Sequence, residues 1–224
     1  MNMDTMSNIT ALFDLDGVIL DTETQYTVFW HQIGVDYLGK NNLEKEVKGQ
    51  TLTYIYNTFF FGKTAQQEEI TEALDRFEQN MSFNYIHGVE AFIVDLKDHG
   101  VNMAIVTSSN KQKMAAVHHF HPELWTQFDH VLTAEMFAHS KPAPDCFLLG
   151  MEIFNATPQN TYVFEDSFNG LKAGMASGAT VIGLATTNSN EALEGKAHYI
   201  INDFNDLTYD KLIKCYTFAT AKTK

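Results

Sequence analysis

Short apolar runs recur along the chain, and most are separated by segments with helical periodicity. Several runs are nearly continuous in Val, Ile, Leu and Phe, which is typical of strands buried on both faces. Residues 88–100 and 169–178 predict helices between such runs. Alternating strands and helices predict the α/β class, a doubly wound parallel sheet with helices on both sides. The predicted strands are residues 9–16, 101–108, 130–134, 161–166, 180–185 and 199–203.

The interval from residue 22 to residue 86 breaks this alternation. It contains no convincing strand, and its residues 70–81 place apolar side chains at spacings of three and four. We therefore expect a helical domain inserted after the first strand. The predicted domains are an α/β core, made of residues 1–21 and 87–224, and a helical insertion at 22–86.

Composition narrows the class of protein. The chain has 224 residues with 45% hydrophobic and 19% charged residues, which is typical of a globular protein. Its formal net charge of −13 argues against nucleic acid or anionic membranes as partners, because both require basic surfaces. The first ten residues do not resemble a signal peptide, and no apolar stretch is long enough to span a bilayer.

The two cysteines, Cys146 and Cys215, are too few for a disulfide framework and lack metal-site spacing. We therefore expect two free thiols in a reducing compartment. The expected location is the cytoplasm, and the expected state is a monomer or weak dimer.

Polar side chains follow four of the predicted strands. In a doubly wound sheet, ligands bind beyond the carboxyl ends of the strands, so these side chains are expected to converge. The first strand end supplies Asp14 and Asp16, the second Thr107 and Ser108, the third Lys141, and the fourth Glu165 and Asp166.

Each of these groups has a structural explanation when taken alone. The two acids at the first strand end could be solvated turn residues, and the lysine could be solvated. The hydroxyl pair and the acid pair at the second and fourth strand ends could cap the helices that follow them. Four independent coincidences at four strand ends are improbable, so the four groups together indicate a single functional site.

The chemistry of the set is coherent. Clustered oxygen ligands without Cys or His suit Mg²⁺, which would relieve the repulsion among Asp14, Asp16 and Asp166. Hydroxyls beside a helix N-terminus, together with a lysine, suit a phosphoryl group. A carboxylate nucleophile beside a second acid can divide a difficult displacement into two steps.

Four motifs resemble those of the haloacid dehalogenase superfamily. They are "FDLDGVILDTE", "IVTSS", "SKPAPD" and "VFEDSFNGLKAG", and their order and spacing match over essentially the whole chain. The sequence is most similar to the beta-phosphoglucomutase-like branch, which includes sugar-phosphate phosphatases. The resemblance implies a Rossmann-like core and a mobile helical cap, placed where the insertion lies.

The resemblance also implies catalytic roles. Asp14 would be the nucleophile that becomes an aspartyl phosphate, and Asp16 the general acid and then the general base. Thr107 and Lys141 would hold the transferring phosphoryl group, assisted by the backbone N–H of Ser108.

The same resemblance implies a Mg²⁺ site and a hinge. The metal ligands would be the Asp14 carboxylate, the Asp16 backbone carbonyl and Asp166, with Glu165 as a further or water-mediated partner. Gly17 would allow a sharp turn beside the site. The cap hinge would lie at Asp21 and Thr22.

Asp16 determines the expected reaction, because dehalogenases of the superfamily lack an acid at this position. A phosphomutase must also hold a second phosphate in the cap, usually with arginine. Arg76 lies off the apolar stripe of its predicted helix, which favours a solvated position. Tyr26 and Leu52 stand where the mutase pattern has His and Arg.

Some cap residues leave the mutase alternative open. Lys45 and Lys48 could replace the missing arginine, although their segment is equally typical of a solvated helix, and His31 lies near Tyr26. Aromatic residues between 54 and 61 are predicted to form the cap core, and "HHFH" at 118–121 a surface helix.

The sequence therefore predicts a Mg²⁺-dependent phosphatase acting on a small phosphorylated metabolite, most simply a sugar phosphate. One alternative is a beta-phosphoglucomutase that interconverts beta-glucose 1-phosphate and glucose 6-phosphate. Another, from a different class, is a catalytically silent module that binds phosphorylated metabolites.

Overall fold

The structure is a computed structural model that describes residues 9–214. Within this range six strands form one parallel sheet in the order β3-β2-β1-β4-β5-β6. All six predicted strands are found, although β1 ends at Phe13, before the acidic residues, and a turn follows at residues 17–19. The strands are β1 Thr10–Phe13, β2 Asn102–Val106, β3 His130–Leu132, β4 Thr161–Glu165, β5 Thr180–Leu184 and β6 Tyr199–Ile201.

Ten α-helices lie wholly within the described residues, and residues 209–214 are also helical. Four of them, α1 to α4, lie between β1 and the return to the core, and a π-helical turn at Gly34–Leu38 extends α1. No described helix has the length and apolar character needed to cross a membrane. The helices are α1 Glu23–Ile33, α2 Leu43–Val47, α3 Leu52–Phe59, α4 Thr64–Gln79, α5 Val89–Asp98, α6 Lys111–Phe120, α7 Leu124–Gln127, α8 Asp145–Ile153, α9 Phe168–Ser177 and α10 Asn190–Leu193.

The sheet is buried on both faces, as the continuous apolar runs predict. On one face, Phe13 stacks on Phe164 with ring centroids 4.4 Å apart, and α5 packs over this pair through Phe92. On the other face, Leu12 and Val163 pack against α8 and α9. The predicted doubly wound α/β class is confirmed.

The inserted helices have a core of their own. Its buried members are Trp30, Ile33, Leu43, Val47, Ile55, Phe60, Ile70 and Leu74. Of the aromatics predicted to form this core, Phe60 is buried, and Tyr56 and Phe59 pack against it. The prediction is wrong for Tyr54 and for Phe61, which are 40% and 82% exposed. Phe61 lies in the turn before α4, and no helix covers it.

The order of the strands locates the crevice of the sheet. The chain moves from β1 to β2 and β3 on one side, and then continues with β4, β5 and β6 on the other. β1 therefore pairs with both β2 and β4, and the direction of winding reverses there. Ligands of open α/β sheets bind at the carboxyl ends of strands at such a point.

Two sequence predictions fall outside the described residues. Cys215 and the tail at 217–224, which was expected to be frayed, belong to this part, as do the first eight residues. Cys146 is described, and it is a buried free thiol as predicted.

Candidate active site

Asp14 lies at the point where the sheet reverses its winding. It follows β1 directly, and its backbone N–H donates to the Phe164 carbonyl of β4 at 3.0 Å. This bond brings Asp14 beside the next two residues of the neighbouring strand end, Glu165 and Asp166. One carboxylate oxygen from each of the three lies within 4.8 Å of the others, and all three residues are buried. The predicted convergence of these strand ends is therefore found in the structure.

Lys141 is buried between two of these carboxylates. Its Nζ lies 2.7 Å from Asp14 Oδ1 and 2.6 Å from Glu165 Oε1, and the residue is 1% exposed. Burial alone would lower the pKa of Lys141, but the two carboxylates raise the pKa above its ordinary value. The lysine thus remains an ammonium, and the alternative of a solvated Lys141 is wrong.

Glu165 has partners on both carboxylate oxygens. Oε1 accepts from Lys141, and Oε2 accepts from the Ser167 N–H at 2.8 Å and the Ser167 Oγ at 3.0 Å. Ser167 is the N-cap of α9, so Glu165 also supports the start of that helix. Gly170 gives Glu165 its space, because a Cβ there would lie 1.7 Å from Oε1.

Asp166 has one satisfied and one unsatisfied oxygen. Oδ2 accepts from Thr187 Oγ1 at 2.6 Å and lies 3.3 Å from Lys48 Nζ, whereas Oδ1 is buried without a hydrogen-bond partner. Burial raises the pKa of Asp166 to about 6, and Lys48 opposes that shift. Gly17, with φ of +77°, passes so close that a Cβ would lie 2.5 Å from Asp166 Oδ2. A buried oxygen without a donor beside other carboxylates fits a hard cation.

Asp16 has a different set of partners from Asp14. Its Oδ1 accepts from Thr22 Oγ1 and from Lys113 Nζ, the latter at 2.5 Å. Its Oδ2 accepts from Ser109 Oγ at 3.1 Å. Because these partners come from Thr22, Ser109 and Lys113, the Asp16 side chain has contacts of its own, apart from the three clustered acids. Asp14 and Asp16 are only two residues apart in the sequence, but their side chains contact different partners.

Thr107 and Ser108 follow β2 and face the same crevice. Thr107 is 1% exposed, and its Oγ1 accepts the Ser109 N–H at 3.0 Å, which leaves the hydroxyl proton to donate elsewhere. Ser108 Oγ donates to the Gly49 carbonyl of the inserted helical unit. The N-cap of α6 is Asn110, so the alternative that Thr107 or Ser108 caps this helix is wrong.

A cavity of about 100 Å³ lies between the core and the inserted helices. Its core side includes Asp14, Asp16, Thr107 and Ser108. The inserted side comes from α1 to α4 and the loops between them, so the two units enclose the reactive groups together. Residues of the inserted side include Glu23, Tyr26, Glu44, Lys48, Gln50, Leu52 and Glu78.

Three residues near the acids were missed or misjudged from the sequence. Lys48 reaches Glu23 and Asp166, so its interpretation as part of a solvated helix is wrong, whereas Lys45 is exposed as that interpretation requires. Thr187 follows β5, and the strand-end rule could have found it. Lys113 lies within α6, where no strand-end pattern points to it.

Arg76 and the histidine-rich segment at 118–121 are not among the residues that line the cavity. Arg76 is exposed and pairs with Glu72 on α4. Residues 118–120 are exposed at the end of α6, as the predicted surface helix requires, whereas His121 lies beyond the helix, is partly buried and has its Nε2 2.6 Å from the Phe83 carbonyl oxygen. Among residues 9–214, the only grouping of His, Cys, Asp and Glu suited to a metal is Asp14 with Glu165 and Asp166.

Comparison with known proteins identifies the family. A family model described as haloacid dehalogenase-like hydrolase matches residues 11–184. The chain is 27% identical over 183 residues to fructose-1-phosphate phosphatase YqaB of Escherichia coli (strain K12), covering 76% of this chain and 93% of that protein. It is also 27% identical over 214 residues to SUPPRESSOR OF QUENCHING 1 of Arabidopsis thaliana, covering 86% of this chain but only 19% of that protein.

A solved structure has the same fold over nearly the whole chain. The beta-phosphoglucomutase from Clostridium difficile superposes with a TM-score of 0.77 at 21% identity, covering 95% of this chain and 98% of that chain. The family model and the phosphatase relative confirm the predicted family and the predicted enzyme class, a phosphoric monoester hydrolase, and the solved structure confirms the fold. The chain belongs to the haloacid dehalogenase-like hydrolases.

Proposed function

We propose that the protein is a Mg²⁺-dependent phosphatase that hydrolyses a small sugar phosphate or similar metabolite through an aspartyl phosphate. The observation that carries this proposal is the separation of Asp14 from Asp16. Asp14 lies with two other acids and Lys141, whereas the Asp16 side chain is held by donors of its own. Two acids with different surroundings can take different roles in one reaction.

Asp14 is the proposed nucleophile. One of its oxygens forms a bond to phosphorus while the bond from phosphorus to the leaving oxygen breaks, and Asp16 donates a proton to that oxygen. Asp16 then accepts a proton from water as the water oxygen attacks phosphorus. The bond from Asp14 to phosphorus breaks in this second step, which releases inorganic phosphate and regenerates the carboxylate.

The phosphoryl oxygens are proposed to lie against Thr107, Ser108 and Lys141. The Thr107 hydroxyl proton and the Ser108 backbone N–H are donors at the carboxyl end of β2. The Lys141 ammonium lies 2.7 Å from Asp14 Oδ1, so it can reach a group that is bonded to that residue. Such preorganised donors stabilise the charge of a transferring phosphoryl group.

The proposed ligands of Mg²⁺ are Asp14, Asp166 and the backbone carbonyl of Asp16. The all-oxygen donor set and the unpartnered Asp166 Oδ1 fit this ion. When bound, Mg²⁺ would neutralise charge on the phosphoryl oxygens. Glu165 would act through Lys141 and through a water-mediated contact, because its own oxygens already accept from Lys141 and Ser167.

Residues 22–86 are proposed to be a cap that closes over the site. Two backbone bonds join its connections to the core, from Asp21 N–H to the residue 84 carbonyl and from Ile86 N–H to the Ile19 carbonyl. The loop between α2 and α3 contacts the core at two points. The Gly49 carbonyl accepts from Ser108 Oγ, and Thr51 Oγ1 lies 2.5 Å from Ser140 Oγ. The cavity of about 100 Å³ is small beside the ~300–1,000 Å³ of common ligand sites, which favours a compact substrate.

The mutase alternative has less support. The cap residues Tyr26 and Leu52 line the cavity, and neither offers the cationic contact that a second phosphate requires. Arg76, whose side chain is 68% exposed, is not among the lining residues. Lys48 is the cationic group that the cap brings to the cavity, and it pairs with Asp166 and Glu23.

The test is phosphate release from fructose 1-phosphate, sorbitol 6-phosphate, glucose 6-phosphate and p-nitrophenyl phosphate, with Mg²⁺ or with EDTA. We expect turnover that needs Mg²⁺ and is lost in Asp14→Asn. A parallel assay supplies beta-glucose 1-phosphate with a bisphosphate primer, and formation of glucose 6-phosphate would favour the mutase. Binding of these esters without turnover in Mg²⁺ would favour the silent module.

A further inference from the structure

Lys113 is a buried cation that the proposed reaction does not yet use. It lies on α6 and is 2% exposed, although lysine is almost never fully buried without a partner. Its Nζ lies 2.5 Å from Asp16 Oδ1, whereas Lys141 contacts Asp14 and Glu165. Each acid of the first motif therefore has its own lysine.

The cap holds Lys113 in place. The ring of Tyr26, on α1, lies over the ammonium with its centroid 4.3 Å from Nζ, within the range of a cation–π contact. The Tyr26 hydroxyl donates to Glu78 Oε1 of α4 at 2.7 Å. A continuous series of contacts thus runs from two cap helices through Lys113 to Asp16.

We propose that Lys113 is the positioning residue that orients the Asp16 carboxyl toward the leaving oxygen. This inference rests on the proposed function. Lys113 and Thr22 donate to Oδ1 while Ser109 donates to Oδ2, so the plane of the carboxyl is fixed from three directions. Of these three donors, Lys113 carries the charge and contacts the ring from the cap, so it links the orientation of Asp16 to cap closure.

A comparison of two esters distinguishes this role from a general loss of structure, because only one of their leaving groups needs a proton. An alkoxide leaving group needs a proton from Asp16, whereas p-nitrophenolate leaves without one. The ratio kcat/KM reports only the steps through transfer to Asp14, so a slower attack by water does not affect it. A residue that orients Asp16 should therefore affect alkyl esters far more than p-nitrophenyl phosphate.

The experiment compares wild-type protein with Lys113→Met and Lys113→Arg, in full-length chains whose circular dichroism matches. The probes are p-nitrophenyl phosphate and whichever of fructose 1-phosphate and sorbitol 6-phosphate the wild-type protein hydrolyses faster. For Lys113→Met we expect kcat/KM to fall about 100-fold on the sugar phosphate and less than about threefold on p-nitrophenyl phosphate. Lys113→Arg should recover a large part of the loss.

Two results would overturn the inference. If Lys113→Met lowered kcat/KM equally for both esters, Lys113 would not orient Asp16, and the phosphatase assignment would stand because the wild-type protein still turns over both. A wild-type protein that hydrolysed neither ester would overturn the proposed function and the role of Lys113 together.

Discussion

Lys48 Nζ of the inserted helices lies 3.3 Å from Asp166 Oδ2 of the core. The same carboxylate has its other oxygen buried without a partner and belongs to the group of acids suited to a metal. A lysine from one unit and a cation would therefore share one carboxylate of the other unit. The position of the inserted helices therefore determines whether the positive charge of Lys48 lies beside Asp166.

Removing the positive charge of Lys48 should change the affinity of the site for Mg²⁺. In Lys48→Met, Mg²⁺ should bind about tenfold more tightly, because repulsion from a neighbouring ammonium is removed. The measurement is isothermal titration of Mg²⁺ into substrate-free protein. Lys45→Met is the matched control, since Lys45 is exposed and changes the net charge equally. Equal or weaker binding in Lys48→Met would contradict the arrangement, as would equal tightening in both variants.

Substitution of Gly17 tests whether the three clustered acids, Asp14, Glu165 and Asp166, bind Mg²⁺. A Cβ at Gly17 would lie 2.5 Å from Asp166 Oδ2, whereas at Gly62, with a similar φ of +73°, it would meet nothing within 4 Å. Both Gly→Ala variants should lose about 1–2 kcal/mol of unfolding free energy to backbone strain. Only Gly17→Ala should also lose Mg²⁺ binding and turnover. Denaturant unfolding and Mg²⁺ titration measure the two effects, and full activity with unchanged Mg²⁺ binding in Gly17→Ala would contradict a close approach of residue 17 to Asp166.

The titration of His198 should contribute to the pH dependence of the free energy of unfolding. The Val181 N–H donates to His198 Nδ1 at 2.9 Å, which requires that nitrogen to be unprotonated. Partial desolvation of the ring, although the residue is exposed, lowers the pKa of His198 below its ordinary 6.5. The unfolded chain therefore binds a proton more readily, and stability present above about pH 6.5 is lost as the pH falls below that value.

The check is the melting temperature of wild-type protein and of His198→Asn between pH 7.5 and pH 5, values chosen to bracket the ordinary histidine pKa of about 6.5. Asparagine offers an oxygen acceptor but does not titrate in this range. The wild-type melting temperature should fall more steeply toward acid pH than that of the variant. Parallel curves would mean that His198 contributes nothing to the pH dependence.

Much of the core site could be predicted from the sequence because its residues lie at strand ends. Apolar runs locate the strands, parallel pairing brings their carboxyl ends together, and Asp14 and Asp166 follow from that geometry alone. Thr187 obeys the same rule after β5. The sequence could not place Lys48 or Lys113, because their partners depend on how the inserted helices dock onto the core, and helical periodicity carries no information about that docking.

The proposed reaction requires that Asp14 becomes phosphorylated during turnover. The direct measurement is mass spectrometry of protein that is quenched in acid while hydrolysing a sugar phosphate or p-nitrophenyl phosphate with Mg²⁺. We predict one phosphoryl group on the peptide that contains Asp14, removable by hydroxylamine as expected for an acyl phosphate, and absent in Asp14→Asn. Phosphate on another residue, or a wild-type rate of turnover in Asp14→Asn, would contradict a phosphorylated Asp14 intermediate.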